Sequence, residues 1–206
     1  HSACSVLPAE RLIATALEHN LQGLVITEHN YCWPQSELDE LLEQAGNPPF
    51  LLMAGCEVRV TLDNGMMGDL IVLGYAGNPE RDQHIDDLCR QVHEQGGIVI
   101  APHPFAPGRG IEEDVYSARI DAIEVFNNRY NSADQWTRAS EAQAQLSIPA
   151  IAGSDSHDLE TIGRCCTEFD ASVSSLSDVI AAIRNHQCRP LARPAAGGIF
   201  KSLFRR

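Results

Sequence analysis

Six short, almost continuously apolar runs alternate with amphipathic segments, and that alternation constrains the fold more than any other feature of the chain. The runs are "LVIT" (24–27), "FLLMAGCEV" (50–58), "DLIVLGY" (69–75), "IVIAPHP" (98–104), "DAIEVFN" (121–127) and "PAIAGSD" (149–155). Between and around them lie five segments with helical spacing: "PAERLIATALEHN", "SELDELLEQAG", "HIDDLCRQVHEQGG", "SADQWTRASEAQAQL" and "SLSDVIAAIRNHQ". Pro8 stands at the start of the first and Gly46 and Gly96 at the ends of two others, the residues expected at helix starts and stops. Strands without a polar face, interleaved with amphipathic helices, predict a mostly parallel sheet buried on both sides. At 206 residues this fits one α/β domain or a single barrel.

Polar residues gather where the runs end. "LVIT" leads into Glu28 and His29, "LLMAGC" into Glu57, "IVIAP" into His103, and "PAIAGS" into Asp155 and His157. The C-terminal ends of parallel strands share one face, the face on which barrel enzymes build their active sites. "GSDSH" (153–157) admits two readings alone: a helix cap, or an acid and an imidazole brought to one side by the two-residue repeat of a continuing strand. Equivalent positions on other strands favour the second reading, and carboxylate with imidazole suits a divalent metal. His19, His84, His93 and His186 fall on or beside polar helix faces, are expected to be exposed, and receive no role.

The net charge of -13 excludes a broad nucleic-acid-binding face and an affinity for anionic membranes. It leaves an anionic substrate open, because bound cations reverse the field locally. No apolar run approaches the length of a membrane span. The seven cysteines form no C-x-x-C pair, and several lie in apolar stretches as small hydrophobes, which suits a reduced, cytoplasmic protein.

The ordered series "HS" at the start, "ITEHN", "GCEV", "GDLIVLGY", "APHPF", "AIEVFN" and "GSDSH" followed by "IGRCCTEF" resembles the motifs of the PHP (polymerase and histidinol phosphatase) family, from His1 to about Arg189. The resemblance implies a distorted seven-stranded (β/α)7 barrel, lacking its first strand in this chain, and a two- or three-metal site of Mn, Zn or Fe that hydrolyses phosphate esters by a metal-bound hydroxide. It implies that Glu57 bridges two metals, that His1 and Asp155 hold one and His103 another, and that His29 and His157 hold a third. Asp69 stands where the family usually has His; a carboxylate there still suits Mn, Mg, Fe or Zn. "SACSVLP" offers only Cys4 and Ser5 where many members carry a further ligand for the third metal.

Glu57, His29 and His157 are thus the expected catalytic residues, the two histidines as proton donors to the leaving group if no third metal binds. Arg164, just past "GSDSH", and Arg109 in "PGRG" are candidate phosphate clamps. Tyr31 and Trp33 in "NYCWP" read as a hydrophobic plug, or as a platform for an aromatic leaving group. The substrate would be a nucleotide, a nucleic-acid end or a small phosphomonoester. Residues 190–206, "PLARPAAGGIFKSLFRR", read as a flexible basic tail able to dock a partner, beyond a domain spanning 1–189. Two other readings remain: a divergent PHP-fold binding or regulatory module, and an amidohydrolase-type metal hydrolase.

Overall fold

A computed structural model describes residues 7–170 and 172–193. It has α1 (Ala9–Glu18), β1 (Gly23–His29), α2 (Gln35–Gln44), β2 (Leu51–Thr61), β3 (Met67–Leu73), α3 (Ile85–Glu94), β4 (Ile98–Ala101), β5 (Ala122–Asn127), α4 (Ala133–Leu146), β6 (Ala150–Gly153), β7 (Cys165–Phe169), α5 (Leu176–Arg184) and β8 (Cys188–Ala192). All six apolar runs become strands, and all five amphipathic segments become helices. His1, Cys4 and Ser5, the expected missing strand and residues 194–206 lie outside the described residues. Among those described, no helix is long and apolar enough to cross a membrane.

The first six strands form one sheet in sequence order, curled into a half-barrel, and β7 pairs antiparallel with β8, across the intervening α5, in a separate two-stranded sheet. β1 and β2 are parallel, as are β4 with β5 and β5 with β6. β3 runs antiparallel to both neighbours, the exception within the mostly parallel sheet expected. The reason is local: only residues 62–66 separate β2 from β3, too few for a parallel crossover but enough for a hairpin turn. Because β3 is reversed, its beginning lies on the rim where its neighbours end. Asp69, near the start of β3, therefore joins the other strand-end residues.

The β7–β8 pair was not signalled by alternation, since "CCTEF" and "CRPLA" are short and the second contains Pro190. It is laced to the sheet by Thr167, whose hydroxyl accepts from the Ala152 N–H (3.0 Å) and donates to the Ala152 carbonyl (2.9 Å). β8 runs to Ala192, so the ordered body extends past Arg189, where the tail was expected to begin.

The core divides around the sheet. Val58, Val60, Leu70, Leu88, Val92, Val99, Ile111 and Ile123 form the largest cluster. Ile13, Ala16, Leu38 and Leu52 fill the space under α1 and α2, and Trp33 packs against them, the plug expected of "NYCWP". The Tyr31 hydroxyl bonds Glu37 Oε1 (2.8 Å). Cys56, Cys89 and Cys165 are buried, and burial pushes each thiol up to about 12, the behaviour of small hydrophobes. His93 departs from the exposed position expected of it. It is largely buried and its Nε2 meets Asp121 Oδ2 at 2.7 Å, linking α3 to the start of β5.

Candidate metal centre

β1 and β2 run in register with His29 beside Glu57, so the last residue of β1 and the middle of the longer β2 present an imidazole and a carboxylate together. Glu57 is held by two imidazoles: His29 Nδ1 lies 3.0 Å from Oε2, and His103 Nε2 lies 3.1 Å from Oε1. Burial raises the carboxyl's pKa, but the bonds from His103 and His29 outweigh it and hold Glu57 at about 2. Burial would lower His103, but the neighbouring Glu57 reverses the direction and raises it. Asp69 is raised by burial and by the charge of Glu57. Arg109 Nη1 stands 3.4 Å from Asp69 Oδ2.

Asp155 and His157 converge, but not by strand alternation. β6 ends at Gly153, and Asp155 takes a left-handed conformation with φ of 48°. This turn brings His157 Nδ1 to 3.0 Å from the Asp155 carbonyl oxygen and 3.4 Å from Oδ1. The cap reading of "GSDSH" fails as well, since the short helix that follows is capped by Asp158, whose side chain accepts the Thr161 N–H. The His157 ring lies 6.5 Å from that of His29. Asp155 is raised by burial and by the charge of Glu57.

One cavity of about 280 Å³ joins these residues: His29, Glu57, Asp69, His103, Asp155 and His157 all line it. Arg109 lines it too. Arg164 does not; its Nε donates to the Glu160 carbonyl (3.1 Å) on the exposed loop, because the backbone turn at Gly163 carries it away from the strand ends. Tyr31 and Trp33 are also not among the lining residues.

Several lining or supporting residues escaped the sequence reading. Arg59, Arg81, Arg129 and Tyr130 line the cavity, with the Tyr130 ring 4.7 Å from that of His103. Beneath His103 sits Glu124, fully buried and raised by that burial to about 7. Its Oε2 accepts the His103 N–H (3.0 Å) and Asn127 Nδ2 (2.8 Å), and the same Asn127 nitrogen lies 3.5 Å from Asp155 Oδ2. A bulge between Glu124 and Phe126 rotates β5 so that residues three apart meet on one side. The missed signal was the charged residue inside the otherwise apolar "AIEVFN", since an unpaired buried acid is costly and seldom accidental.

The donor set fits a divalent cation. One ligand atom from each of Glu57, Asp69 and His103 lies within 4.8 Å of the others, and all three side chains are buried. Carboxylate and imidazole together suit Mn, Fe or Zn.

A family model described as PHP-associated matches residues 135–188. An uncharacterised protein of Methanocaldococcus jannaschii is 25% identical over 124 residues, 60% of this chain and 68% of that protein. Among solved structures, a two-domain protein from Bacteroides vulgatus containing a predicted PHP-like metal-dependent phosphoesterase superposes with a TM-score of 0.68 at 19% identity, covering 94% of this chain and 63% of that one. Endonuclease Q, solved with a 27-mer duplex bearing an abasic lesion at its active site, superposes with a TM-score of 0.60 at 15% identity over 89% of this chain. The chain spans 53% of that endonuclease, so both solved proteins are substantially longer.

Proposed function

We propose that this chain, which has the fold of PHP-like metal-dependent phosphoesterase domains, hydrolyses a phosphate ester with the help of divalent metal ions. One observation carries the reading: buried acids and imidazoles floor a single cavity whose mouth is lined by arginines. A carboxylate–imidazole floor suits cations, and guanidinium groups suit phosphoryl oxygens.

Glu57, Asp69 and His103 would hold one ion, with His29, Asp155 and His157 completing a second or third. When bound, such ions polarise the phosphoryl group and acidify a water molecule. The protein's own residues do the rest. Arg109, tethered to Asp69, is placed to bind phosphoryl oxygens beside the metal ligands. Glu57, deprotonated down to a pH of about 2, keeps its charge throughout the physiological range. His157 turns Nδ1 to the Asp155 carbonyl, which leaves Nε2 to face the cavity, as a ligand where an ion binds there or, with no ion there and the imidazole protonated, as the nitrogen that delivers a proton to a departing alcohol. Glu124 and Asn127 fix His103 and Asp155 relative to each other.

An amidohydrolase reading is weaker here, because the chain's one lysine, Lys201, lies far in sequence from any strand end of the sheet. The deciding assay is turnover of p-nitrophenyl phosphate with Mn, Zn or Fe, compared with chelator and with amide and lactone substrates. Metal-dependent release of p-nitrophenol alone supports the reading. Turnover of amides or lactones instead, or of nothing while metal is retained, refutes it.

A further inference from the structure

The cavity mouth carries more positive charge than one phosphoryl group requires, and the backbone positions of those charges are fixed. Arg59 lies two residues after Glu57 on β2, so both side chains leave the same face of the strand. Its N–H donates to Asn30 Oδ1 (3.2 Å), and its carbonyl accepts the Asp82 N–H (2.7 Å), which anchors the loop carrying Arg81. The Arg109 carbonyl accepts the Asp69 N–H (2.8 Å). The Arg129 N–H donates to Asn127 Oδ1 (2.9 Å). Four guanidinium groups therefore reach one cavity from four separate segments, each tied by the backbone to a strand or strand end.

Their pairing is uneven. Arg109 faces Asp69 at 3.4 Å, and Arg81 faces Asp82 at 3.2 Å. Among the described residues, no carboxylate stands within ion-pair distance of Arg59 or Arg129. Arg119, Arg164, Arg184 and Arg193 also lack a carboxylate within that distance, but among the described arginines without an ion pair only Arg59 and Arg129 line the cavity, which leaves their guanidinium groups available to an outside anion there. Arg109, beside the metal ligands, already serves the phosphoryl group to be cleaved.

We propose that Arg59 and Arg129 form a second anion subsite at the cavity mouth, and that the substrate is a small ester bearing a second phosphoryl group besides the one hydrolysed. The proposal rests on the phosphoesterase reading above and narrows its substrate class. A small molecule is favoured over a nucleic-acid strand because the chain's charge of -13 opposes a long polyanion, whereas a cavity of about 280 Å³ is of metabolite scale.

The test is isothermal titration of the full chain with Mn, using alkane bisphosphonates of two to five carbons and the matching alkylphosphonates. Their C–P bonds survive, so affinity is read without turnover. The best bisphosphonate should bind about tenfold or more tighter than its monophosphonate, as charge-assisted guanidinium contacts warrant. Arg59→Ala and Arg129→Ala should each bring that ratio towards one, and Arg129→Lys should restore part of it. Equal affinities in the unaltered chain, or variants that weaken both ligands alike, overturn the subsite. Tighter binding of a 5′-phosphorylated tetranucleotide than of any bisphosphonate overturns the small-molecule assignment. If p-nitrophenyl phosphate is hydrolysed while the ratio stays at one, only the subsite fails; an arginine-dependent ratio without hydrolysis leaves the subsite standing and removes the phosphoesterase reading.

Discussion

Glu124 offers the sharpest test of how the site is supported, because its buried carboxyl should govern stability across neutral pH. Burial raises its pKa to about 7, against an ordinary carboxylate value of 4.5. The folded state therefore binds a proton that the unfolded state has already released, and the corresponding stability is full below about pH 4.5 and lost as pH rises through about 7. The whole shift corresponds to about 3 kcal/mol, of which about 2–3 kcal/mol falls between pH 5 and pH 9. In a domain of this size that is about 5–10 °C in Tm. Glu124→Gln keeps the shape and an acceptor for the His103 N–H but cannot ionise. With chelator present, so that metal binding does not contribute, thermal melts of both proteins should be recorded at intervals from pH 5 to pH 9. The Tm of Glu124→Gln minus that of the unaltered chain should rise by about 5–10 °C over that range. A difference that stays constant with pH would show that Glu124 does not change protonation there, and the account of a buried, proton-holding support under His103 would be wrong.

Other outcomes follow from the same geometry. Manganese at one hundred times its dissociation constant should stabilise the chain by about 2.7 kcal/mol, about 5–11 °C in Tm, and Glu57→Gln should abolish that shift by removing the shared carboxylate. A methyl group at Gly153 would overlap Glu124 Oε1, which is enclosed and cannot swing away, so Gly153→Ala should lower Tm by about 4–10 °C, an overpacking cost of about 2–3 kcal/mol. Asp155→Gly should leave the metal-free chain at least as stable as the unaltered one while reducing, but not abolishing, its response to manganese, since Glu57, Asp69 and His103 remain; a loss of several degrees in chelator would contradict this.

The sheet was legible because its strands are buried on both faces, and continuous apolar runs between amphipathic helices have few other uses. The reversal of β3 was less so: its composition is that of its parallel neighbours, and only the five residues between β2 and β3 carry the information. The same limit applies to the antiparallel pair of β7 and β8, whose residues neither alternate nor form a long apolar run. At the site, the residues at strand ends could be picked out by position, as His29, Glu57, His103 and Asp155 show. The arginines could not. Arg59 is held to Asn30, and the loop carrying Arg81 is held by the Asp82 N–H to the Arg59 carbonyl, contacts made only once distant segments meet, while Arg129 is set by a local turn onto Asn127 just past β5. Arg164 illustrates the converse, since closeness to "GSDSH" in sequence does not place its side chain in the cavity.

Asn30, His103 and Asp155 share a further trait that bears on why the site exists. Each is a non-glycine residue in the left-handed region, with φ of 53°, 30° and 48°, and each lies just past the end of a parallel strand. Such a conformation costs about 1–2 kcal/mol for most residues with a side chain, and since Asn20, Asn47, Asp82, Glu112, Ser147 and His186 also adopt it away from the cavity, it bears on the site only together with burial and charge. Neighbouring bonds hold the strained residues in place: the Asn30 N–H donates to the Glu57 carbonyl (2.7 Å), and the His103 N–H to Glu124 (3.0 Å). Asp155 adds electrostatic cost, being raised by burial and by Glu57 across the cavity. Strain, burial and like-charge repulsion thus coincide at the residues that face the cavity, which is the pattern of a site whose side chains are kept for a bound cation rather than for the fold. For this reason the metal-free chain should lose nothing when Asp155 becomes glycine, and a chain whose stability depended on Asp155 would place these residues with the scaffold instead.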